Sequence, residues 1–457
     1  SLGDRLGRKR VLAVGLVVFA ATSAFAGSAE SVGTLIAGRA LMGIGGALIF
    51  PATLAIITNV FTDPIDRAKA IGVWGATSGV AVAAGPVLGG WLLEHFWWGS
   101  IFFVNLPVSV VAIAGTLVFV PESRDTTIHR LDPLGLILST AGMFALIYTI
   151  IEASLWGWGD VKTILGFVIA AVILASFAAW ELRTPEPMLP VRIFRNLRFT
   201  AASVSITAAF FALFGFIFLV TQYFQLVREY TPLQAGIRTV PVATAIAVAS
   251  VIAPKLVERI GTKYVVSLGL FLLACGFVWI GQVDARTPYW VIVLQMMFNG
   301  FGLGFTTTPA TESIMGSLAA DKAGIGSAVN DTTRELGGTL GVAVIGSVFT
   351  SVYVGALRNG EVFPGLPGAA RSASEESVSA AAQVAGSLGP DAERFIAEVK
   401  DAFLSGFSIG CWVAAGVALA IWLCHARCTR FPSSRGCHRY RCGVGALGGL
   451  RAGRHRL

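Results

Sequence analysis

Charged residues are scarce in this chain. Only 13% of its 457 residues are Asp, Glu, Lys or Arg, against about a quarter in soluble domains. With 55% of residues apolar, a water-facing fold could not hide so much apolar surface, and lipid must be the solvent. Histidine is rarer still. The five, at positions 95, 129, 425, 438 and 455, fall in loops or in the tail. No clustered acid–base or nucleophilic chemistry is therefore expected at membrane depth, and an enzyme is not expected. No G-x-x-x-x-G-K-[ST] stretch occurs, which argues against an ATP-driven pump. Rings of like charge and a carbonyl filter, the marks of a channel, are missing too. So is period-two alternation, which argues against a lipid-facing barrel.

Cysteine is also sparse. Cys275 and Cys411 sit in apolar runs, while Cys424, Cys428, Cys437 and Cys442 lie at or beyond the last one. Together with His425 and His438 they have no finger-like spacing. No metal, disulfide or cofactor is expected, and the basic tail 425–457 is assigned no function.

What the chain does have is long apolar runs, each near the 20 residues that cross a bilayer as a helix. Twelve can be counted, near 10–29, 32–59, 70–93, 101–120, 133–153, 161–180, 199–227, 235–257, 263–283, 288–313, 323–354 and 402–424. The expected fold class is an all-α polytopic membrane protein. A net charge of +8 is of the sign that nucleic acid attracts, but its distribution points elsewhere. Alternate loops, starting from the N-terminal one and ending with the tail, hold 24 Lys and Arg, and the opposite loops hold 8. That is the positive-inside pattern, so the N-terminal loop and C-terminal tail are expected in the cytoplasm and no nucleic-acid partner is expected.

The sequence also repeats itself. Asp4-Arg5-Leu6-Gly7-Arg8-Lys9 returns as Glu258-Arg259-Ile260-Gly261-Thr262-Lys263, an offset of 254. Pro51-Ala52-Thr53 returns as Pro309-Ala310-Thr311, and Gly72 matches Gly326. Near-constant offsets imply two parallel helical bundles, a common transporter plan. In the second half two spans precede the acidic-Arg-Gly-Lys loop, whereas in the first half the loop stands at residue 4. An N-terminally truncated chain is therefore expected, with twelve spans of an original fourteen. The expected divisions are 1–120 (four of six helices), a two-helix insert over 121–198, a six-helix bundle over 199–424 with an external loop at 356–400, and the tail.

Three motifs now bear on function. "LGDRLGRKR" at 2–10 resembles the loop motif of the major facilitator superfamily. "LIAGRALMGIGGA" at 35–47 is similar to its fourth-helix motif, and 72–90 resembles the fifth-helix motif of its proton-coupled exporters. With the central helix pair, the resemblance is to the fourteen-helix drug/proton antiporters of the EmrB/QacA type. It implies a secondary exporter of hydrophobic or cationic small molecules, conferring multidrug or antibiotic resistance. Such a protein sits in the plasma membrane, driven by protons, with lipid as its only other partner, and is expected to be monomeric. An importer of a small nutrient, or an exporter of one natural product, are the alternative readings.

The resemblance and the residues together single out positions. In 72–90, Ala81, Gly85 and Gly89 follow one another at four-residue steps, a small-residue stripe open to another helix. Pro86 interrupts the backbone bonding, and Gly72 and Gly90 bound the motif. Arg39 lies about seven residues, roughly 10 Å, inside its span, where an arginine is costly and a functional candidate. Its repeat counterpart is Met297, so the fold needs no arginine there. The family implies a proton-coupling role for Arg39. In the first loop, Asp4, Arg5, Gly7, Arg8 and Lys9 form an expected gating latch. Glu312, Asp331, Arg334 and Glu335 cluster near one membrane face. Asp331 and Arg334 can pair across one turn, and Glu312 with Arg334 or Lys322. The alternative is that Glu312 or Asp331 titrates during transport. Phe210, Phe211, Phe214, Phe218, Gln222, Tyr223 and Gln225, with Asn105 of "FFVNLP", are the expected cavity wall.

Overall fold

The computed structural model describes residues 7–122, 132–185, 187, 189, 191–318 and 323–428. Asp4, Arg5, Lys322 and the tail with Cys437, His438 and Cys442 lie outside them. Among the described residues no strand forms, and twelve helices are long and apolar enough to cross a membrane. They are α1 (Arg8–Gly27), α2 (Val32–Val60), α3 (Pro64–His95), α4 (Ser100–Phe119, with a turn at Val104), α5 (Pro133–Trp156), α6 (Val161–Arg183) and α7 (Leu197–Gln222). After them come α8 (Pro232–Ile260), α9 (Thr262–Ile280), α10 (Tyr289–Gly316) and α11 (Ala323–Arg358). Two short helices follow, α12 (Gly368–Glu376) and α13 (Val378–Ala385), and then α14 (Ala392–Cys428).

Polar residues start these helices where the apolar runs begin. Ser31, Asp63, Asp132, Asp160, Asn196 and Thr231 each accept a first-turn N–H, satisfying donors that the helix itself cannot. The repeat is visible at the same level. Gly7 and Gly261, matched in sequence, precede α1 and α9 with φ of 101° and 90°, left-handed backbone that favours glycine. Consecutive spans run up and down, so one end of the molecule gathers Gly7, Arg67, Lys69, Arg198, Arg259 and Lys263. We call it the basic end, and the opposite one, carrying α12 and α13, the capped end.

The main core belongs to the second half. Phe216, Leu219, Tyr223, Phe277, Met296, Ile345, Phe349, Phe403 and Phe407 are buried in one cluster built from α7, α9, α10, α11 and α14. A second cluster joins the halves at the basic end, packing Leu54 of α2 and Ile71 of α3 against Phe199, Ile206, Ala310, Ile314, Met315 and Val329. The insert helices α5 and α6 pack on each other, and α5 also touches α11.

The stretch 356–400 is not the expected loop. Val378, Ala381 and Ala385, at helical spacing, bury one face of α13, and Phe363 and Leu366 are buried beside them. The Tyr353 hydroxyl donates to the Ser374 carbonyl at 3.1 Å. α14 begins ten residues before the apolar run at 402, because Phe395 and Val399 carry the core beyond the membrane-length segment. The stretch is a folded cap continuous with the second half.

Candidate functional site

At the basic end the two halves meet through charge. Arg67 of α3 donates to Glu312 of α10 at 3.0 Å, with both side chains mostly buried. Glu312 therefore pairs with Arg67 and not with Arg334, and Lys322 lies outside the described residues. Helical spacing along α10 could not show this partner, which comes from 245 positions away. Ser327 of α11 donates to the Pro51 carbonyl of α2 at 2.7 Å, a second tie between the halves.

Beside this pair lies a polar chain inside α10 and α11. The Thr311 hydroxyl donates to Asn330 Oδ1 at 2.9 Å, and Asn330 Nδ2 reaches Asp331 Oδ1 at 3.3 Å. Asp331 is buried, yet it forms no ion pair with Arg334. That guanidinium instead lies over the ring of Trp74 at 4.4 Å and the ring of Phe210 at 4.9 Å, with Thr311 Oγ at 3.5 Å. Arginine over an aromatic face is an attractive arrangement, and here it links α11 to α3 across the halves. Glu335 is exposed and makes no ion pair among the described residues, so it drops out of the expected network. Glu312 Oε2, Asp331 Oδ2, Arg67 Nε, Arg334 Nε, Thr308 Oγ and Ser250 Oγ are buried without a protein hydrogen-bond partner. Buried polar atoms of this kind are costly unless they serve a purpose.

From this junction a backbone seam runs along α3 and α8 to the capped end. A Cβ on Gly79 would sit 3.0 Å from the Ala247 nitrogen, and one on Gly90 would sit 2.6 Å from the Pro232 carbonyl. Gly236 of α8 packs against the Pro86 carbonyl. Glu94 closes the seam by accepting the Leu233 N–H at 3.1 Å. Gly72 and Gly90 thus lie on the contact face. The expected stripe does not. Ala81 and Gly85 are exposed, and a Cβ on Gly85 or Gly89 would meet nothing. Four-residue spacing found a small-residue face, but the contact follows the neighbouring face through 72, 79, 86 and 90.

Arg39 is exposed on α2, not buried, and has no ion pair among the described residues. Of the first-loop latch, Gly7 packs against the Glu122 carboxylate, Arg8 is buried, and Lys9 donates to the Leu117 carbonyl at 2.8 Å. Those contacts stay within the first half, α1 to the end of α4.

The expected cavity wall divides. Phe218, Gln222 and Gln225 line a cavity of about 840 Å³ at the capped end, roofed by α12 and α13. Tyr223 faces the other way, buried in the core with its hydroxyl donating to the Asp284 carbonyl at 2.8 Å. Phe214 stacks on Phe210 outside the cavity. Asn105 donates to the buried Ser23 hydroxyl at 2.9 Å, tying α4 to α1. The last turn of α7 widens to a π-turn over Tyr223–Val227, a feature frequent at functional sites. Glu229, just beyond, has φ 54° and takes a hydrogen bond from Lys400 of α14. Sequence reading missed Arg67, Trp74, Glu375 and Glu376. The first lies just before Gly72 of the repeat, and the last two in the stretch read as an external loop.

Known proteins bear on this geometry. The model of the Major Facilitator Superfamily matches residues 1–342. The chain is 34% identical to the multidrug efflux pump LfrA of Mycolicibacterium smegmatis, over 92% of this chain and 83% of that protein. It is 32% identical to the methyl viologen resistance protein SmvA of Salmonella typhimurium, over 94% of this chain and 87% of that one. Among solved structures, the human organic anion transporter MFSD10 superposes with a TM-score of 0.59 at 15% identity, covering 93% of this chain and 78% of that one. Two helical halves joined by a glycine seam, with a repeat visible in backbone and sequence, belong to a chain of the major facilitator superfamily.

Proposed function

We propose that the protein is a proton-coupled exporter of hydrophobic or cationic small molecules, working by alternating access. One observation carries the reading. The halves are closed together at the basic end by Leu54, Ile71, the Arg67–Glu312 pair and the Arg334–Trp74 contact. This is an arrangement closed toward the cytoplasm if the basic end faces it in a plasma membrane, as the charge bias supports. The relatives named for efflux and resistance support the direction of transport.

Proton coupling is assigned to Arg39, Glu312 and Asp331. An exposed arginine at membrane depth is too costly in lipid and belongs against water between the halves. Glu312 and Asp331 each leave one buried carboxylate oxygen unbonded, so a proton there changes the balance of the junction. Protonating Glu312 removes the partner of Arg67 and loosens the closed end. The insert α5–α6 supports the fourteen-helix subtype. The divisions of the chain are drawn at 1–120, 121–198, 199–424 and 425–457.

The test uses cells that express the protein and are loaded with ethidium. Efflux stopped by a protonophore, and slowed by Arg39→Ala at equal expression, is the expected result. Efflux indifferent to the protonophore would overturn proton coupling.

A further inference from the structure

The cavity under the cap has a chemistry that fits one class of ligand. Its volume of about 840 Å³ suits a drug-sized molecule, since such sites span roughly 300–1,000 Å³. Phe218 and Tyr353 offer aromatic surface, Gln222 and Gln225 offer amides, and Glu375 and Glu376 bring two carboxylates. No Lys, Arg or His is among the lining residues.

The two acids are not equivalent. Glu375 receives a hydrogen bond from Arg358 Nε at 2.7 Å, and Arg371 also acts on it. That carboxylate is neutralised, and its bond holds α12 to the end of α11. Glu376 is exposed to the cavity mouth and has no ion-pair partner among the described residues. One acid fastens the roof, and the next one leaves a single negative charge beside aromatic rings. An anion would meet that charge unopposed, and a neutral ligand would leave it unused. A flat cation would stack on a ring and pair with the carboxylate.

Resting on the exporter reading, we propose that this cavity is a release-side vestibule for a monovalent aromatic cation, with Glu376 as its counter-charge and Phe218, Gln222 and Gln225 as its wall. The cation leaves the path between the halves, waits under α12 and α13, and escapes past the cap. Arg358 and Glu375 keep the roof in place and do not hold the cargo.

The test places a reporter in the vestibule. Ser379→Cys, on a lining residue, is prepared in nanodiscs and labelled with a fluorescent maleimide, with labelling of the unsubstituted chain subtracted. Saturating ethidium is expected to slow labelling about fivefold or more, while the neutral dye N-phenyl-1-naphthylamine leaves it unchanged. Adding Glu376→Gln is expected to weaken the ethidium concentration dependence about tenfold, the loss of one charge contact. Ethidium efflux is measured for Ser379→Cys in parallel. Unprotected labelling with efflux intact overturns the vestibule and leaves the exporter reading standing. Loss of both from well-inserted protein overturns lipophilic-cation export and the vestibule with it. Protection that survives Glu376→Gln overturns the assignment of the counter-charge, and protection by the neutral dye overturns the cation class.

Discussion

The two halves carry the same pattern and are covered differently. In its most apolar window, α10 is 61% buried, whereas its repeat counterpart α2 is 22% buried. α7, α8 and α9 surround α10; α2 packs chiefly on α1, with a lesser contact to α11. Both are long apolar helices with an internal proline, Pro309 and Pro51. In lipid an uncovered apolar face costs little, because tails are as apolar as leucine. The pattern therefore fixes that a segment spans, and the neighbours fix what each face does.

That comparison can be pressed hardest at the seam. Gly90→Leu should push a side chain into the Pro232–Leu233 backbone and cost about 3 kcal/mol or more. Gly85→Leu, on the open face, should change stability by less than about 0.5 kcal/mol. Thermal unfolding in detergent, read by the loss of monodisperse protein, separates the two; equal melting temperatures would contradict the assigned contact face. The repeat offers the next test. Met297→Arg puts a charge into the crowded half and should cost about 2.5–3.5 kcal/mol, the insertion penalty at a helix centre.

Breaking the tie between the halves should have a smaller effect. Arg67→Ala or Glu312→Ala alone leaves a mostly buried partner unmatched, worth about 1–3 kcal/mol. The double variant should cost clearly less than the sum; strict additivity would show that the pair is not coupled. Arg39→Met, copying the second half into the first, should leave the melting temperature within the equivalent of about 0.5 kcal/mol. It should nonetheless abolish protonophore-sensitive efflux.

The smallest effect concerns the cap. Arg358 holds the Glu375 carboxyl below its usual range, chiefly by hydrogen bonding, and Lys400 does the same for Glu229. A lowered folded-state value means that these bonds contribute fully above the ordinary carboxylate value of about 4.3. The contribution is lost as pH falls through the lowered one. Melting curves from pH 6 to pH 3 should show a shallow acid limb, flattened in Glu375→Gln and Glu229→Gln. Both pairs are largely solvated, so the effect stays small.

Much of the fold was legible because span length is a local property. The twelve apolar runs could be read along the chain. What could not be read depends on rotation and distance. Gly72 and Gly90 lay on the contact face but Ala81, Gly85 and Gly89 did not, because small residues occupy two adjacent faces of α3. Glu312 was read as lying near one membrane face with Arg334 or Lys322 as partner, yet its partner came from Arg67 in the other half. Asp331 and Arg334 were near enough to pair, but Trp74 and Phe210 drew the guanidinium away. Tyr223 and Gln222, adjacent in sequence, turn to core and cavity, a split that follows from packing against α14 and the cap. The cap itself was hidden because its alanines and serines carry little hydropathy, though their spacing builds a buried face.

The seam between α3 and α8 has one more consequence. Its closest contacts are between main-chain atoms, with hydrogen atoms at Gly79, Gly90 and Gly236 where side chains would stand. Such a joint does not depend on which residues line the cavity beyond it. The wall at Phe218, Gln222 and Gln225 can therefore be exchanged, one cargo preference for another, without refitting the joint. A lineage can diversify its chemistry while inheriting its mechanics unchanged.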